Sequence, residues 1–130
     1  MRTINVVGAV ITNEKNEILC ALRSDKMSSP GFWEFPGGKV ENNEEAKDAL
    51  EREILEELQC RIRVGDMITE TTYEYPDIRV HLTTYHAKII SGKPRATEHE
   101  EIRWIRQKQI GALKWAPADI PTVEKLIKAY

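Results

Sequence analysis

The sequence has few cysteines, no long apolar run and no excess of positive charge. Its two cysteines, Cys20 and Cys60, lie far apart, and no export signal precedes them. Two isolated thiols in this context are typical of a reduced, cytoplasmic protein, so we expect a cytoplasmic location and no structural disulfide. No apolar run approaches the roughly 18 residues that a membrane-spanning helix needs, so we expect no membrane partner.

The charge balance excludes one class of partner. A formal net charge of −2 argues against binding to a nucleic-acid polymer, which normally requires a basic surface. It does not exclude a nucleotide, because a metal ion can supply positive charge locally. Apolar residues at 41% and charged residues at 31% are ordinary for a globular protein. We expect residues 1–130 to form one domain.

Hydrophobic patterning predicts strands and helices in the order β-β-α-β-β-β-α. A chain with this order packs its helices on a mixed sheet, which is an α+β architecture. The turn-rich residues 12–16 predict that the first two strands pair as a hairpin. The predicted strands cover 4–11, 17–22, 61–75, 78–90 and the region around 102–105.

Two segments have helical periodicity. In residues 44–58 the apolar side chains recur every four residues, and Asn42 or Asn43 is the expected N-cap. The second helix follows Pro121 near the C-terminus. The apolar stripe of the first helix consists of Ala46, Leu50, Ile54 and Leu58, and that of the second of Val123, Leu126, Ile127 and Tyr130.

The first helix carries an acidic cluster with two interpretations. At about 100° per residue, Glu53, Glu56 and Glu57 project from one arc beside the apolar stripe. If the arc is exposed, the like charges cost only a few tenths of a kcal/mol. If it is half-buried, two such carboxylates repel by roughly 3 kcal/mol, and a divalent cation would remove that cost. The periodicity leaves both interpretations open.

The segment around this helix has a more specific pattern. Gly38 is followed at fixed spacing by Glu44, by Arg52-Glu53-Ile54 and by Glu56-Glu57. Residues 38–60 thereby resemble the Nudix box, with seven of nine fixed positions filled. The departures are Gln59, where the family has glycine, and Cys60, where it has an aliphatic residue. The resemblance identifies the chain as a member of the Nudix hydrolase family.

The resemblance implies a three-layer α/β/α sandwich with a central mixed sheet. It also implies hydrolysis of a nucleoside diphosphate linked to another group, with Mg²⁺ or its substitute Mn²⁺ as cofactor. Glu53 is the implied catalytic base, and three residues of the motif have an implied structural role, namely Gly38, Glu44 and Arg52. The implied metal ligands are the Gly37 carbonyl, Glu53, Glu56, Glu57 and Glu98. A plain acidic loop is the alternative for Glu98, and its neighbour His99 has no assigned role.

The likeness extends to the MutT branch, which hydrolyses (deoxy)nucleoside triphosphates to a nucleoside monophosphate and pyrophosphate. Arg23 matches a phosphate-contacting arginine of that branch, with a surface salt bridge as its alternative. Phe35 and Tyr75 are expected to flank the base, although aromatic residues in strands are more often core. Residues 116–121 resemble the CTP pyrophosphohydrolase subgroup.

Asp119 is the residue of that segment expected to contact the base. An ionised aspartate only accepts hydrogen bonds, so it favours a base with an exocyclic amine such as cytosine. Its alternative role is to cap the last helix.

These features leave three hypotheses of function. The first is a metal-dependent pyrophosphohydrolase of (deoxy)nucleoside triphosphates that favours cytosine or modified cytosine nucleotides, with 8-oxo-dGTP as the competing substrate. The second keeps the family but takes a nucleotide sugar or dinucleoside polyphosphate. The third is a Nudix-like nucleotide-binding module without catalysis. A monomer and a homodimer are both compatible with the sequence.

Overall fold

The strands divide between two sheets in the structure, a computed structural model that describes residues 1–129. Strands β1 (Thr3–Ile11), β4 (Gly37–Lys39), β5 (Arg61–Glu74) and β6 (Arg79–Ser91) form a sheet in the order β4-β1-β6-β5. Its β1 and β6 are parallel and its other pairs antiparallel, so this is the mixed sheet that the sequence predicts. Strands β2 (Glu17–Leu22), β3 (Trp33–Glu34) and β7 (Glu101–Arg106) form an antiparallel sheet in the order β3-β2-β7.

Helices α1 (Ala46–Leu58) and α2 (Ile120–Lys128) pack into separate core clusters. Because side chains alternate along a strand, β1 contributes Val7, Ala9 and Ile11 to the α1 cluster and Val10 to the α2 cluster. The layers are therefore helix, sheet and helix, and the α+β fold class is confirmed. Two 3-10 helices, Gln107–Ala112 and Pro117–Asp119, lead into α2.

The predicted hairpin of β1 and β2 is wrong. The chain does reverse between them, but the two strands belong to different sheets and meet at a bridge between Thr12 and Ile18. The reason is that both edges of β1 are already hydrogen-bonded, one to β4 and one to β6. Strand β2 therefore pairs with β3 and β7.

Helix α1 begins two residues later than predicted, and neither Asn42 nor Asn43 caps it. Its N-cap position is Glu45, and within the described chain that side chain makes no capping hydrogen bond. Asn43 instead adopts a left-handed conformation with φ of 64°. The predicted apolar stripe is otherwise correct, since Leu50, Ile54 and Leu58 are fully buried.

The remaining predictions concern the two cysteines, helix α2 and membrane spans. Cys60 lies in the α1 cluster and Cys20 in the α2 cluster, so the described chain keeps the two thiols in different layers. Helix α2 buries Val123 and Leu126, as its pattern predicts, but Ile127 of the predicted stripe is exposed. Tyr130, assigned to the same face, lies outside the described residues. Among residues 1–129, no helix is long and apolar enough to cross a membrane.

Gln59 ends helix α1 in a left-handed conformation. Its φ is 59° and its ψ 33°, and its N–H donates to the Leu55 carbonyl at 3.1 Å. The chain thus keeps the conformation for which the Nudix box has glycine, although a Cβ atom makes that conformation unfavourable. The side chain is exposed, so it gains little packing in return.

We therefore expect Gln59→Gly to stabilise the protein by about 1 kcal/mol, because glycine adopts this conformation without steric cost. Urea unfolding measures the difference. Glu51→Gly is the matched control, an exposed position inside the same helix. It should destabilise the protein by about the same amount. Destabilisation by both variants would contradict this account of the helix end.

Candidate active site

A cavity of about 540 Å³ contains most of the predicted site residues. Its wall is formed by strands β1, β4 and β6, the loop after β2, the turn between β5 and β6, and the segment before α2, and one side chain each from β3 and α1 completes it. Glu53, Glu56 and Glu98 are not part of this lining. The predicted residues that line it are Arg23, Phe35, Gly37, Gly38, Glu57, Tyr75 and Asp119.

Arg52 connects the glutamates of the motif. It binds Glu44 through two hydrogen bonds of 2.8 and 3.0 Å, and it donates to the Lys39 carbonyl at 3.0 Å. The same guanidinium contacts Glu53 at 3.0 Å and Glu56 at 3.3 Å. One planar cation thereby joins strand β4, the loop before α1 and the helix itself.

The contacts of Glu44 and Glu53 do not follow from helical spacing. Glu44 lies before the helix begins, and its side chain contacts Arg52 and the Glu41 N–H. Glu53 has a nearby cation because the long side chain of the adjacent Arg52 folds back to it. Glu56 contacts Arg52 at the expected i,i+4 spacing.

The glycine pair allows β4 to approach both the sheet and the helix. A Cβ atom on Gly38 would lie 2.3 Å from the Glu53 carboxyl carbon. A Cβ atom on Gly37 would lie 1.9 Å from the Val7 carbonyl oxygen. Glycine is therefore required at Gly37, where a Cβ atom would meet backbone, whereas at Gly38 a Cβ atom would meet only the Glu53 side chain and displace its carboxylate.

Glu57 is the glutamate of the motif that faces the cavity. Burial raises its pKa to about 7, and nearby His99 partly offsets this rise. Neighbouring carboxylates add to it, namely Glu53, Glu34 and Glu98. Its Oε1 atom is buried and has no hydrogen-bond partner among residues 1–129. An unpartnered, desolvated carboxylate oxygen beside other carboxylates fits a hard divalent cation such as Mg²⁺.

The other acids predicted as metal ligands do not converge on one point. Within the described residues, no three His, Cys, Asp or Glu side chains are arranged closely enough to hold a metal ion. Arg52 occupies one oxygen each of Glu53 and Glu56, which draws both toward the start of the helix. Burial raises the pKa of Glu53, whereas its bond to Arg52 lowers it. Glu98 is exposed and lies close enough to Glu57 to affect its pKa.

Arg23 lies in the cavity wall and is held there by an ion pair. It lines the cavity, and it also forms a salt bridge to Glu34 at 2.5 Å with both side chains less than one-fifth exposed. Its other bonds go to the carbonyl and hydroxyl oxygens of Ser28. The arginine therefore fixes the loop 24–31 at the mouth of the cavity.

The side chains expected to contact the base gather at the inner part of the cavity. Asp119 occupies the N-cap position of α2, but its side chain does not cap that helix within the described chain. Its Oδ1 atom accepts instead from the Phe35 N–H at 3.4 Å. The Phe35 ring packs on Trp115 with centroids 4.6 Å apart. The Tyr75 hydroxyl accepts from the Ala118 N–H at 3.4 Å.

Asp119 is a buried acid. Burial raises its pKa well above the usual range, and the Glu34 carboxylate contributes to the increase. The Phe35 N–H and the Arg23 guanidinium act in the opposite direction. The carboxyl is therefore biased toward its neutral form, which donates as well as accepts a hydrogen bond. The sequence argument, which assumed an ionised aspartate, did not include this effect.

Glu34 is the site residue that sequence reasoning missed. It lies on β3 inside the otherwise aromatic run 32–35, and it contacts both Arg23 and His99. The available signal was a charged residue between Trp33 and Phe35, both of which are buried. Since strand side chains alternate, such a residue faces away from the core cluster and toward any cavity beside it.

Comparison with known proteins identifies the family. A family model for the NUDIX domain matches residues 2–126. The chain is a Nudix hydrolase. The predicted family is thus confirmed, as is its enzymatic nature.

Several relatives of this Nudix hydrolase are similar over nearly their full length. The CTP pyrophosphohydrolase of Escherichia coli (strain K12) is 36% identical over 124 residues, covering 95% of this chain and 91% of the relative. The 8-oxo-dGTP diphosphatase of the same strain is 29% identical, covering 97% and 98%. The solution structure of the DNA mismatch repair protein MutT from methicillin-resistant Staphylococcus aureus 252 has a TM-score of 0.81 at 51% identity, with both chains fully covered.

The raised pKa of Glu57 predicts a pH-dependent stability of the metal-free protein. An acid with a higher pKa in the folded state stabilises it below the unfolded value of 4.5, and this contribution is lost as the pH rises through about 7. The Glu57→Gln variant cannot ionise at this position, so at about pH 8 it should be more stable than the wild type by about 3 kcal/mol.

Urea unfolding in a chelating buffer measures this difference. At about pH 3.5, below both pKa values, the two proteins should be nearly equal in stability, because the wild-type Glu57 is then mostly protonated in both states. Glu51→Gln, an exposed change in the same helix, should give a small difference that does not depend on pH. An equal effect of Glu57→Gln at both pH values would refute the assignment of a desolvated carboxylate.

Proposed function

We propose that this Nudix hydrolase is a metal-dependent pyrophosphohydrolase of (deoxy)nucleoside triphosphates, with a preference for cytosine or modified cytosine nucleotides. The observation that supports it best is the composition of the cavity. Glu57, a carboxylate with a buried and unpartnered oxygen, lines the same cavity as Asp119, a buried acid that accepts from the Phe35 N–H. Such a cavity offers a place for a metal–phosphate group and one for a base.

The chemistry assigns a role to each group near the cavity. Mg²⁺, or Mn²⁺ in its place, would neutralise phosphate oxygens and activate the attacking water. Glu57 and the Gly37 carbonyl line the cavity and would be its nearest ligands, with Glu53, Glu56 and Glu98 completing the set. Glu53 is assigned as the general base, and burial raises the pKa of its carboxyl, which makes it a stronger base than a solvated glutamate.

The structural residues of the motif act through Glu53. Arg52 and Glu44 hold the helix against β4, and Gly38 leaves room for the Glu53 carboxylate. In this proposal Glu53 takes a proton from the water that attacks the nucleotide. The products are a nucleoside monophosphate and pyrophosphate.

Recognition of cytosine is assigned to Asp119. In either protonation state its carboxyl accepts a hydrogen bond from an exocyclic amine such as the cytosine 4-amino group. Phe35 is packed against Trp115, and Tyr75 is tethered to the Ala118 N–H, so both side chains have fixed positions beside Asp119. Arg23, at the cavity mouth, is assigned to the phosphates.

The wider expectations follow from the same proposal. The partner is a small nucleotide, without a nucleic-acid polymer or membrane, and the catalytic unit is one domain that functions as a monomer or homodimer in the cytoplasm. The CTP pyrophosphohydrolase relative supports the cytosine preference, and the 8-oxo-dGTP diphosphatase relative supports hydrolysis of a nucleoside triphosphate.

The deciding experiment measures pyrophosphate release with Mg²⁺ from dCTP, 5-methyl-dCTP, 5-hydroxy-dCTP, 8-oxo-dGTP, ADP-ribose and a diadenosine polyphosphate. We expect cytosine nucleotides to be the best substrates and chelation to abolish turnover. Glu53→Gln should lower the rate at least a hundredfold, as loss of a general base does. Glu51→Gln, on the exposed side of the same helix, should not. Nucleotide binding without any turnover would instead indicate a binding module.

The protonation of Asp119 favours 8-oxo-dGTP as a second candidate substrate. A neutral carboxyl can donate a hydrogen bond as well as accept one, as an asparagine does. It can therefore donate to the O6 acceptor of a guanine base, which an ionised aspartate cannot do. The burial of Asp119 thus weakens the discrimination that the sequence alone predicts.

These two candidates predict different pH profiles. As the pH rises through the raised pKa of Asp119, its carboxyl ionises and loses its donor, so turnover of 8-oxo-dGTP should fall relative to that of dCTP. The ratio of the two kcat/KM values cancels effects common to both substrates. In Asp119→Asn the ratio should shift toward 8-oxo-dGTP and become independent of pH. A ratio that is constant with pH in the wild type would show that Asp119 does not contact the base through its ionisable group.

A further inference from the structure

His99 is a buried histidine in an otherwise exposed acidic loop. Its side chain is 0% exposed, whereas Glu98 and Glu100 on either side are exposed. Two hydrogen bonds fix the loop around it. The Thr97 hydroxyl donates to the Glu57 carbonyl at 2.6 Å, and the Glu100 N–H donates to the Leu22 carbonyl at 2.9 Å. The position of the ring is therefore set by both α1 and β2.

The ring makes one hydrogen bond within the described chain, to Glu34. Nε2 lies 2.8 Å from Glu34 Oε2, while Nδ1 is buried without a partner among residues 1–129. Since a carboxylate can only accept, Nε2 carries the proton. Burying an imidazole is unfavourable unless a hydrogen bond offsets the lost hydration. The hydrogen bond to Glu34 thus offsets part of the cost of burying the His99 ring.

Glu34 links His99 to the residues at the mouth of the cavity. While Oε2 accepts from His99, Oε1 accepts from Arg23, and Arg23 in turn donates to Ser28. The two carboxylate oxygens thereby have separate donors, one on each side. Both Glu34 and Arg23 line the cavity. The chain of contacts runs from the loop before β7, through β3, to the loop at the cavity mouth.

We propose that His99 is a positioning residue for nucleotide binding, which acts by fixing the Glu34 carboxylate and, through it, Arg23 at the mouth of the cavity. Without the Nε2 donor, the half-buried carboxylate can rotate and the guanidinium loses its fixed partner. This inference rests on the proposed function in one respect, the assignment of Arg23 to substrate phosphates. His99 also lies near Glu57, so a direct effect on that carboxylate is the competing explanation.

The two explanations differ in the kinetic parameter that changes. If His99 acts through Glu34 and Arg23, then His99→Leu should raise KM about tenfold and leave kcat within about threefold, as expected for loss of a hydrogen bond to a charged group. A fall in kcat with an unchanged KM would overturn the proposal in favour of Glu57. His86→Leu, at an exposed histidine of β6, is the matched control and should change neither parameter.

Two conservative variants of His99 test whether the donor must stand at the position of Nε2. The amide nitrogen of glutamine can take the place of Nε2, whereas that of asparagine corresponds to Nδ1 and cannot reach Glu34. His99→Gln should therefore restore KM to near the wild-type value, and His99→Asn should resemble His99→Leu. Equal KM values for the glutamine and asparagine variants would overturn the proposal. Thermal unfolding checks that each variant is folded, and the glutamine variant keeps the comparison valid if leucine is not tolerated.

A measurement without substrate separates this inference from the proposed function. In uniformly ¹⁵N-labelled protein, the imidazole spectrum of His99 should show the proton on Nε2, and Glu34→Ala should shift that signal while leaving His86 unchanged. This result is expected even if no nucleoside triphosphate is hydrolysed. A proton on Nδ1, or a His99 signal that does not respond to Glu34→Ala, would overturn the proposal. Failure of the substrate panel with the expected spectrum would count against the proposed function alone.

Discussion

The site depends on the position of helix α1 against strand β4, and Arg52 holds them together. Its guanidinium binds Glu44 through two hydrogen bonds, reaches the Lys39 carbonyl and also contacts Glu53 and Glu56. A lysine could not make this set of bonds, because a single ammonium group lacks the planar fork that binds a carboxylate and a carbonyl together. Gly38 leaves the space that the Glu53 carboxylate occupies in this arrangement, and a Cβ atom there would displace that side chain.

Acids in this site are placed where water cannot solvate them well. Glu57 and Asp119 both have raised pKa values because of burial, and Glu34 contributes negative charge to each. Each unit of raised pKa corresponds to about 1.4 kcal/mol against the ionised form. In a site built only for stability these positions would be apolar. The cost of burying these acids is understandable if a bound cation and a polar ligand supply the charge and the hydrogen bonds that the protein does not supply itself.

The sequence predicted much of the fold and part of the site. The five longer strands, the buried stripe of α1 and the Nudix spacing are local patterns, so the order of residues predicted them, whereas the short strands β3 and β4 were not predicted. Strand pairing was not, because β1 has both edges taken by strands from elsewhere in the chain. The start of α1 also depends on a distant contact, since Glu44 is held by Arg52 and not by helical geometry. The contact between Glu34 and His99 was not predicted, because 65 positions separate the two residues in the sequence.

The sequence by itself determined the family and the set of acids, because spacing within one helix and its preceding loop fixes which side chains share a face. Only the tertiary structure decided which of these acids are exposed and which are buried. Glu56 points toward water and Glu57 into a cavity, although they are neighbours, because packing on β4 and the Thr97 loop covers one side of the helix. Asp119 is biased toward its neutral form for the same reason. The burial of a residue depends on which distant segments pack over it, and its immediate neighbours in the sequence do not determine those segments.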